Sequence, residues 1–132
     1  MYKPNWCDQR RLDYTNRLAE ILAASINTQE AGISTLPLGW NDDTFSNEEA
    51  AKLVRSCVQH LEELEQRTGK CIHLDIETEP GCRLQRSEDV SLFVRQYFHD
   101  EELTRRYLRV CHDTCHAAVM RESAEEAVAH YT

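Results

Sequence analysis

Three short runs with strand character, 32–39, 71–78 and 107–113, are separated by stretches with the 3.6-residue apolar period of amphipathic helices. That order limits the fold more than any other feature of the chain. Strands joined through helices pair in parallel, so the chain reads as an αβαβαβα succession. Its punctuation agrees. Asp8 is placed to cap a first helix reaching about Ile26, with Leu18, Ile21, Leu22 and Ile26 as its expected buried stripe. Ser46-Asn-Glu-Glu49 is a capping box, and Leu53, Val54, Cys57, Val58, Leu61 and Leu64 follow at helical spacing up to a stop at Gly69. Ser87 is expected to cap a third helix, with Glu88 and Asp89 in its first turn and Val90, Phe93, Val94 and Tyr97 buried. A short helical piece over 101–106 leads into the last strand. Ser123-Ala-Glu-Glu126 opens a final helix.

The middle strand decides between sheet types. Ile72, Leu74 and Ile76 alternate with His73, Asp75 and Glu77. A doubly wound sheet would press the second set beneath helices, because parallel sheets are normally covered on both faces. In a (β/α)8 barrel the same side chains enter the lumen, where polar groups near the mouth build a site. The expectation is therefore α/β, with 1–132 a single partial domain supplying about three or four β/α units of a TIM barrel. The alternative is a small open three-stranded parallel α/β sheet, complete in itself.

The charge balance narrows the partners. The chain of 132 residues has a formal net charge of -8, and Arg10-Arg11 and Arg105-Arg106 are short pairs set among acids. Nucleic-acid binding needs clustered cations, so it is not expected. No apolar run approaches membrane-spanning length and no secretory h-region follows Met1, so membrane insertion is not expected either. The six cysteines then read as reduced thiols in a cytoplasmic protein.

Two strand ends carry candidate ligands. The last strand stops on Asp113, and His116 follows three residues later; one oxygen and one nitrogen donor suit zinc, manganese or iron better than calcium or magnesium. The middle strand ends with Glu77 and Glu79 at its tip. The plainer reading makes Asp113 a cap for the following loop and His116 its ion-pair partner. Cys111, His112, Cys115 and His116 also form a C-H-x-x-C-H cluster, but Cys111 and His112 face opposite sides of one strand, against a shared zinc. Cys115 has no evident base partner and reads as a packed thiol rather than a nucleophile. Trp40, Trp6 and Tyr2 lie in loops at the same end; with Glu79, Trp40 and Trp6 are candidate pocket residues for a small polar metabolite, or else packing for those loops.

Asp-Thr-Cys-His at 113–116, with a carboxylate-ending strand one unit earlier, resembles the xylose-isomerase-like TIM-barrel superfamily of sugar phosphate isomerases, epimerases and the endonuclease IV group. Within it, Tyr2-Lys-Pro-Asn-Trp6, the segment 11–20, Ile33-Ser-Thr-Leu-Pro-Leu-Gly-Trp40, the segment 73–82 and the segment 110–119 are most similar to the EboE type of metabolite-traffic protein. The resemblance implies a divalent ion (zinc, manganese or iron) on Glu77, Asp113 and His116. It also implies a barrel extending beyond this chain, so that only part of the ligand shell is present. His112 stands where such relatives carry an apolar or aromatic residue.

The expected function is that of a metabolite-traffic protein with a metal-dependent isomerase or epimerase-type barrel, acting on a small-molecule metabolite or sugar phosphate. A non-catalytic carrier for secondary-metabolite transport is the alternative, and a metal-dependent phosphodiesterase of endonuclease IV type the third. The isolated segment is expected to be inactive and to pair its open sheet edges with another copy.

Overall fold

The computed structural model, which describes residues 2–131, has six helices and three strands, with helices between successive strands. They are α1 (Gln9–Ser25), β1 (Glu30–Thr35), α2 (Asn47–Thr68), β2 (Cys71–Glu77), α3 (Ser87–Tyr97), α4 (Glu101–Tyr107), β3 (Leu108–Cys111), α5 (Thr114–Val119) and α6 (Ala124–Tyr131). The strands form one open parallel sheet in the order β1-β2-β3. Its register pairs Glu30 with Cys71 and Glu77 with Cys111.

Burial follows the alternation of β2. Ile72, Leu74 and Ile76 are fully buried, beneath α1, α2 and α4. His73, Asp75 and Glu77 are partly exposed on the other face. There the polar groups pair with one another. His73 Nδ1 lies 2.7 Å from Asp75 Oδ1, and Arg109 reaches across to Glu30 at 2.7 Å. Gly32 makes room for this, since a Cβ there would lie 2.0 Å from Asp75 Oδ2. Such pairs add little beside the burial of three aliphatic side chains, so the apolar face carries the fold.

Most helix boundaries follow their caps. Asp8 accepts from the Arg10 amide, Ser46 and Glu49 bond reciprocally, and Ser123 and Glu126 do the same ahead of α6. Several expectations change, among them the end of β3, at Cys111 rather than Asp113. β1 begins at Glu30 and ends at Thr35, because beyond it Pro37 lacks an N–H and Leu38 turns back at φ 68°. Tyr107 closes α4 rather than opening β3, its hydroxyl donating to Glu65 Oε2 at 2.7 Å. Ser87 is the first residue of α3, and Asp89 accepts the Gln85 and Arg86 amides in its place. The buried stripe of α1 is Leu12, Thr15, Ala19 and Ala23, with Leu22 and Ile26 at its margin and Ile21 exposed. The small Ala19 and Ala23 let α1 approach α2 closely, and that contact rotates the helix.

All six cysteines are free. Among the described residues no helix is long and apolar enough to cross a membrane.

Gly69 ends α2 at φ 71° with open space around it, so a side chain there meets only backbone strain. Gly69→Ala is expected to lower stability by about 1 kcal/mol and Gly69→Asn by less, read as a fall in the urea midpoint at unchanged slope. An unshifted midpoint for Gly69→Ala would show that α2 does not depend on this left-handed stop.

Candidate metal cluster and adjoining groove

Parallel pairing brings the carboxyl ends of β2 and β3 side by side, and there the chain gathers its titratable groups. Glu77 pairs with Cys111, and the chain then leaves β3 and turns at Asp113 into α5. Asp113 is the N-cap of that helix. Its Oδ1 accepts the amides of Cys115 at 2.7 Å and His116 at 3.1 Å, which leaves Oδ2 unused by the cap. The turn carries His116 back toward the sheet. Its Nδ1 stands 3.2 Å from Glu77 Oε1, 3.7 Å from Asp113 Oδ2 and 3.1 Å from the Thr78 carbonyl. One ligand atom from each of Glu77, Asp113 and His116 falls within 4.8 Å of the others.

Two of the three spacings suit an ion. Ligands held about 2.0–2.2 Å from a tetrahedral zinc lie roughly 3.3–3.6 Å apart, close to the distances from His116 to the two carboxylates. The side chains are 26–32% exposed, leaving a route for an ion and for water in its remaining positions. Loss of the Nδ1 proton, which otherwise satisfies the Thr78 carbonyl, would free that nitrogen as a donor.

The two carboxyls are tuned in opposite directions. Burial pushes Glu77 up, the His116 imidazole pulls it back, and the charges of Asp113 and Glu79 add to the rise. The amides of His116 and Cys115 hold Asp113 below the usual range. Ionised Glu77 is thus uncomfortable without a cation beside it, while Asp113 is already charged.

A groove adjoins the cluster. The β1–α2 and β2–α3 loops are joined by the Trp40–Cys82 bridge and by bonds from Asn41 to the Gly81 carbonyl and from Arg83 to the Gly39 carbonyl, each 3.0 Å. Trp40, Asn41, Asp42, Gly81 and Gln85 wall a shallow cavity of about 600 Å³. Trp40 is 36% exposed and meets the Tyr2 ring, with centroids 4.3 Å apart. The Tyr2 hydroxyl donates to Glu79, and that bond, with burial and nearby charge, pushes the phenol up to about 12.

Of the residues singled out in the sequence, Glu77, Asp113 and His116 converge, Trp40 lines the groove and Glu79 sits beneath its aromatic pair. Trp6 does not belong with them. It is fully buried, its Nε1 donating to Thr35 Oγ1 at 3.0 Å, and it packs the core under β1. Asn41, Asp42 and Gln85 escaped the sequence reading because scattered polar loop residues carry no periodic signal. Neither Cys111 nor Cys115 joins the cluster within ligand distance. No protein-family model, curated protein or solved structure matches the chain.

The sign of the carboxyl tuning can be measured without metal. A raised Glu77 stabilises the fold while protonated and loses that contribution as pH rises through its folded value; a lowered Asp113 contributes above its unfolded value and is lost as pH falls. In chelator, Glu77→Gln is expected to unfold at higher urea than the parent at pH 7, an advantage that fades below pH 4.5, the ordinary value for this carboxyl. A less stable Glu77→Gln at pH 7 would show that His116 outweighs desolvation.

Proposed function

We propose that the chain is a segment of a xylose-isomerase-like (β/α)8 barrel of the EboE metabolite-traffic type, holding a zinc, manganese or iron ion on Glu77, Asp113 and His116. The convergence of those three donor atoms within 4.8 Å carries the reading. The sheet is compatible with it. Its parallel strands run in sequential order, helices cover the apolar face, and the polar face has the alternation of a barrel lumen. The cluster lies at the carboxyl edge, where barrel sites form.

A bound ion would act as a Lewis acid on adjacent substrate oxygens, the chemistry that sugar isomerases and epimerases use. The residues of this chain have simpler tasks. Asp113 presents Oδ2 while its Oδ1 keeps α5 in place, and the turn into α5 brings His116 Nδ1 to 3.2 Å from Glu77. Trp40 and Tyr2 present an aromatic wall beside the cluster to a small polar metabolite.

The carrier reading has one observation in its favour. Tyr2 and Glu79, two groups able to move a proton at this end of the sheet, are bonded to each other. With both occupied, a site that binds and releases without turnover is the second proposal, again in a cytoplasmic protein.

Equilibrium dialysis against zinc or manganese followed by elemental analysis is expected to find close to one ion per chain. His116→Ala and Asp113→Ala should each weaken binding by about tenfold or more, with a three-ligand site giving modest affinity throughout. Absence of bound metal, or binding indifferent to both substitutions, would remove the proposal. Isomerised product from sugar phosphates would select the enzyme, and binding without product the carrier.

A further inference from the structure

The outer edge of β1 carries main-chain groups that the single chain does not use. The Cys71 amide donates to the Gln29 carbonyl at 2.9 Å, which fixes the direction of every later group, because hydrogen bonding alternates along a strand. Ala31 and Ile33 therefore turn to β2, while Glu30, Gly32 and Ser34 turn away from it. Thr28 Oγ1 donates to the Glu30 carbonyl at 3.0 Å. The N–H and C=O of Gly32 and Ser34 meet no partner among the described residues, and both residues are exposed. Open edges are normally blunted by proline, lysine, a bulge or a covering element. Here the pairing with β2 runs unbroken from Glu30 to Thr35 with neither residue in it, and its one charge, Glu30, is drawn across the face to Arg109.

The flank of α1 beside that edge is apolar. Glu20 reaches Arg67 and His60 of α2, at 2.7 and 3.2 Å, and α2 packs on β2. Tyr14, Leu18 and Ile21 lie on the other flank of the helix, turned from α2 toward the open side of β1. Tyr14 is 55% and Ile21 62% exposed, and Leu18 is half-buried.

We propose that the chain of 132 residues forms a two-fold dimer through antiparallel pairing of β1 with β1 of a second copy, Ile33 opposite Ile33 and Gly32 opposite Ser34. Each Gly32–Ser34 pair then exchanges both of its N–H and C=O bonds, so every free group of the edge is used. The two Ile33 side chains meet on the helix side at the closer, non-hydrogen-bonded position. On the polar face Asp75 Oδ2 fills the space above Gly32, where a Cβ would lie 2.0 Å from it, while Oδ1 is held by His73. The Ser34 hydroxyl of the second copy arrives opposite that unused oxygen. Strands pair about 4.8 Å apart and α1 lies across β1 and β2, so the two α1 helices come to about 10 Å, a helix-packing distance, with the apolar flanks between them. An unrelated extended peptide would gain the main-chain bonds without this matching flank. The pairing needs no metal. It takes the edge that an adjoining barrel strand would occupy, so it is a property of this chain rather than of a completed barrel.

Sedimentation equilibrium in reducing buffer with chelator is expected to show a reversible monomer–dimer equilibrium in the micromolar range, as suits a small interface. Ile21→Arg, at an exposed position, should weaken it about tenfold or more while leaving the urea midpoint of the monomer unchanged, and Ser34→Pro, which removes an edge amide, should weaken it to a similar degree. Amide exchange followed by NMR reads the register: Gly32 and Ser34 gain protection as concentration passes through the transition. A monomer at every concentration, a dimer indifferent to both substitutions, or a dimer in which the Gly32 and Ser34 amides exchange freely would each overturn the proposal. Neither substitution touches Glu77, Asp113 or His116, so dimerisation and metal binding fail separately.

Discussion

Burial of Ile72, Leu74 and Ile76 under the helices fixes the direction in which Glu77 points. In β2 the side chains alternate strictly, so an apolar face worth about 1.5–3 kcal/mol per buried residue holds the polar face in place. A slip of one residue would bury Asp75 and Glu77 and expose the three aliphatics, a cost far above any gain available to the site. The register with β3 then places Glu77 beside Cys111, and everything at the carboxyl edge inherits its position from that pairing.

Asp113 shows how the edge is economical with its groups. One oxygen nucleates α5 by accepting two amides, and the helix so begun returns His116 to the other oxygen and to Glu77. The same cap keeps Asp113 ionised, while burial resists ionisation of Glu77. At the far end of α5, Glu122 accepts from the Ser87 amide and hydroxyl, and His130 meets the same hydroxyl at 2.7 Å, so the turn bearing the cluster is tied to the start of α3.

Much of this was legible in the sequence, for particular reasons. The capping box at Ser46, the stop at Gly69 and the alternation of β2 are local signals with local causes, and the structure keeps them. The meeting of Asp113, His116 and Glu77 was readable because parallel pairing makes neighbouring strand ends into spatial neighbours. Less was visible where packing overrode pattern. The apolar spacing of Leu18 and Ile21 pointed to one face of α1, but close contact with α2 favoured the small Ala19 and Ala23. Asp113 read as a strand tip or as the cap of a following loop; that it caps a helix was not visible, because α5 has only six residues, too few to show a period. Trp6 read as a loop aromatic because nothing nearby in the chain announces Thr35, its buried partner.

The central claim is that three side chains on the carboxyl edge form one metal position. Anomalous diffraction at the zinc edge, from crystals grown with zinc, tests it at the level of atoms. The account predicts a peak about 2.0–2.2 Å from a carboxylate oxygen of Glu77, from Asp113 Oδ2 and from an imidazole nitrogen of His116, with water in the open position. A lattice without that peak, or one whose zinc sits on Cys111 and Cys115 instead, would contradict it.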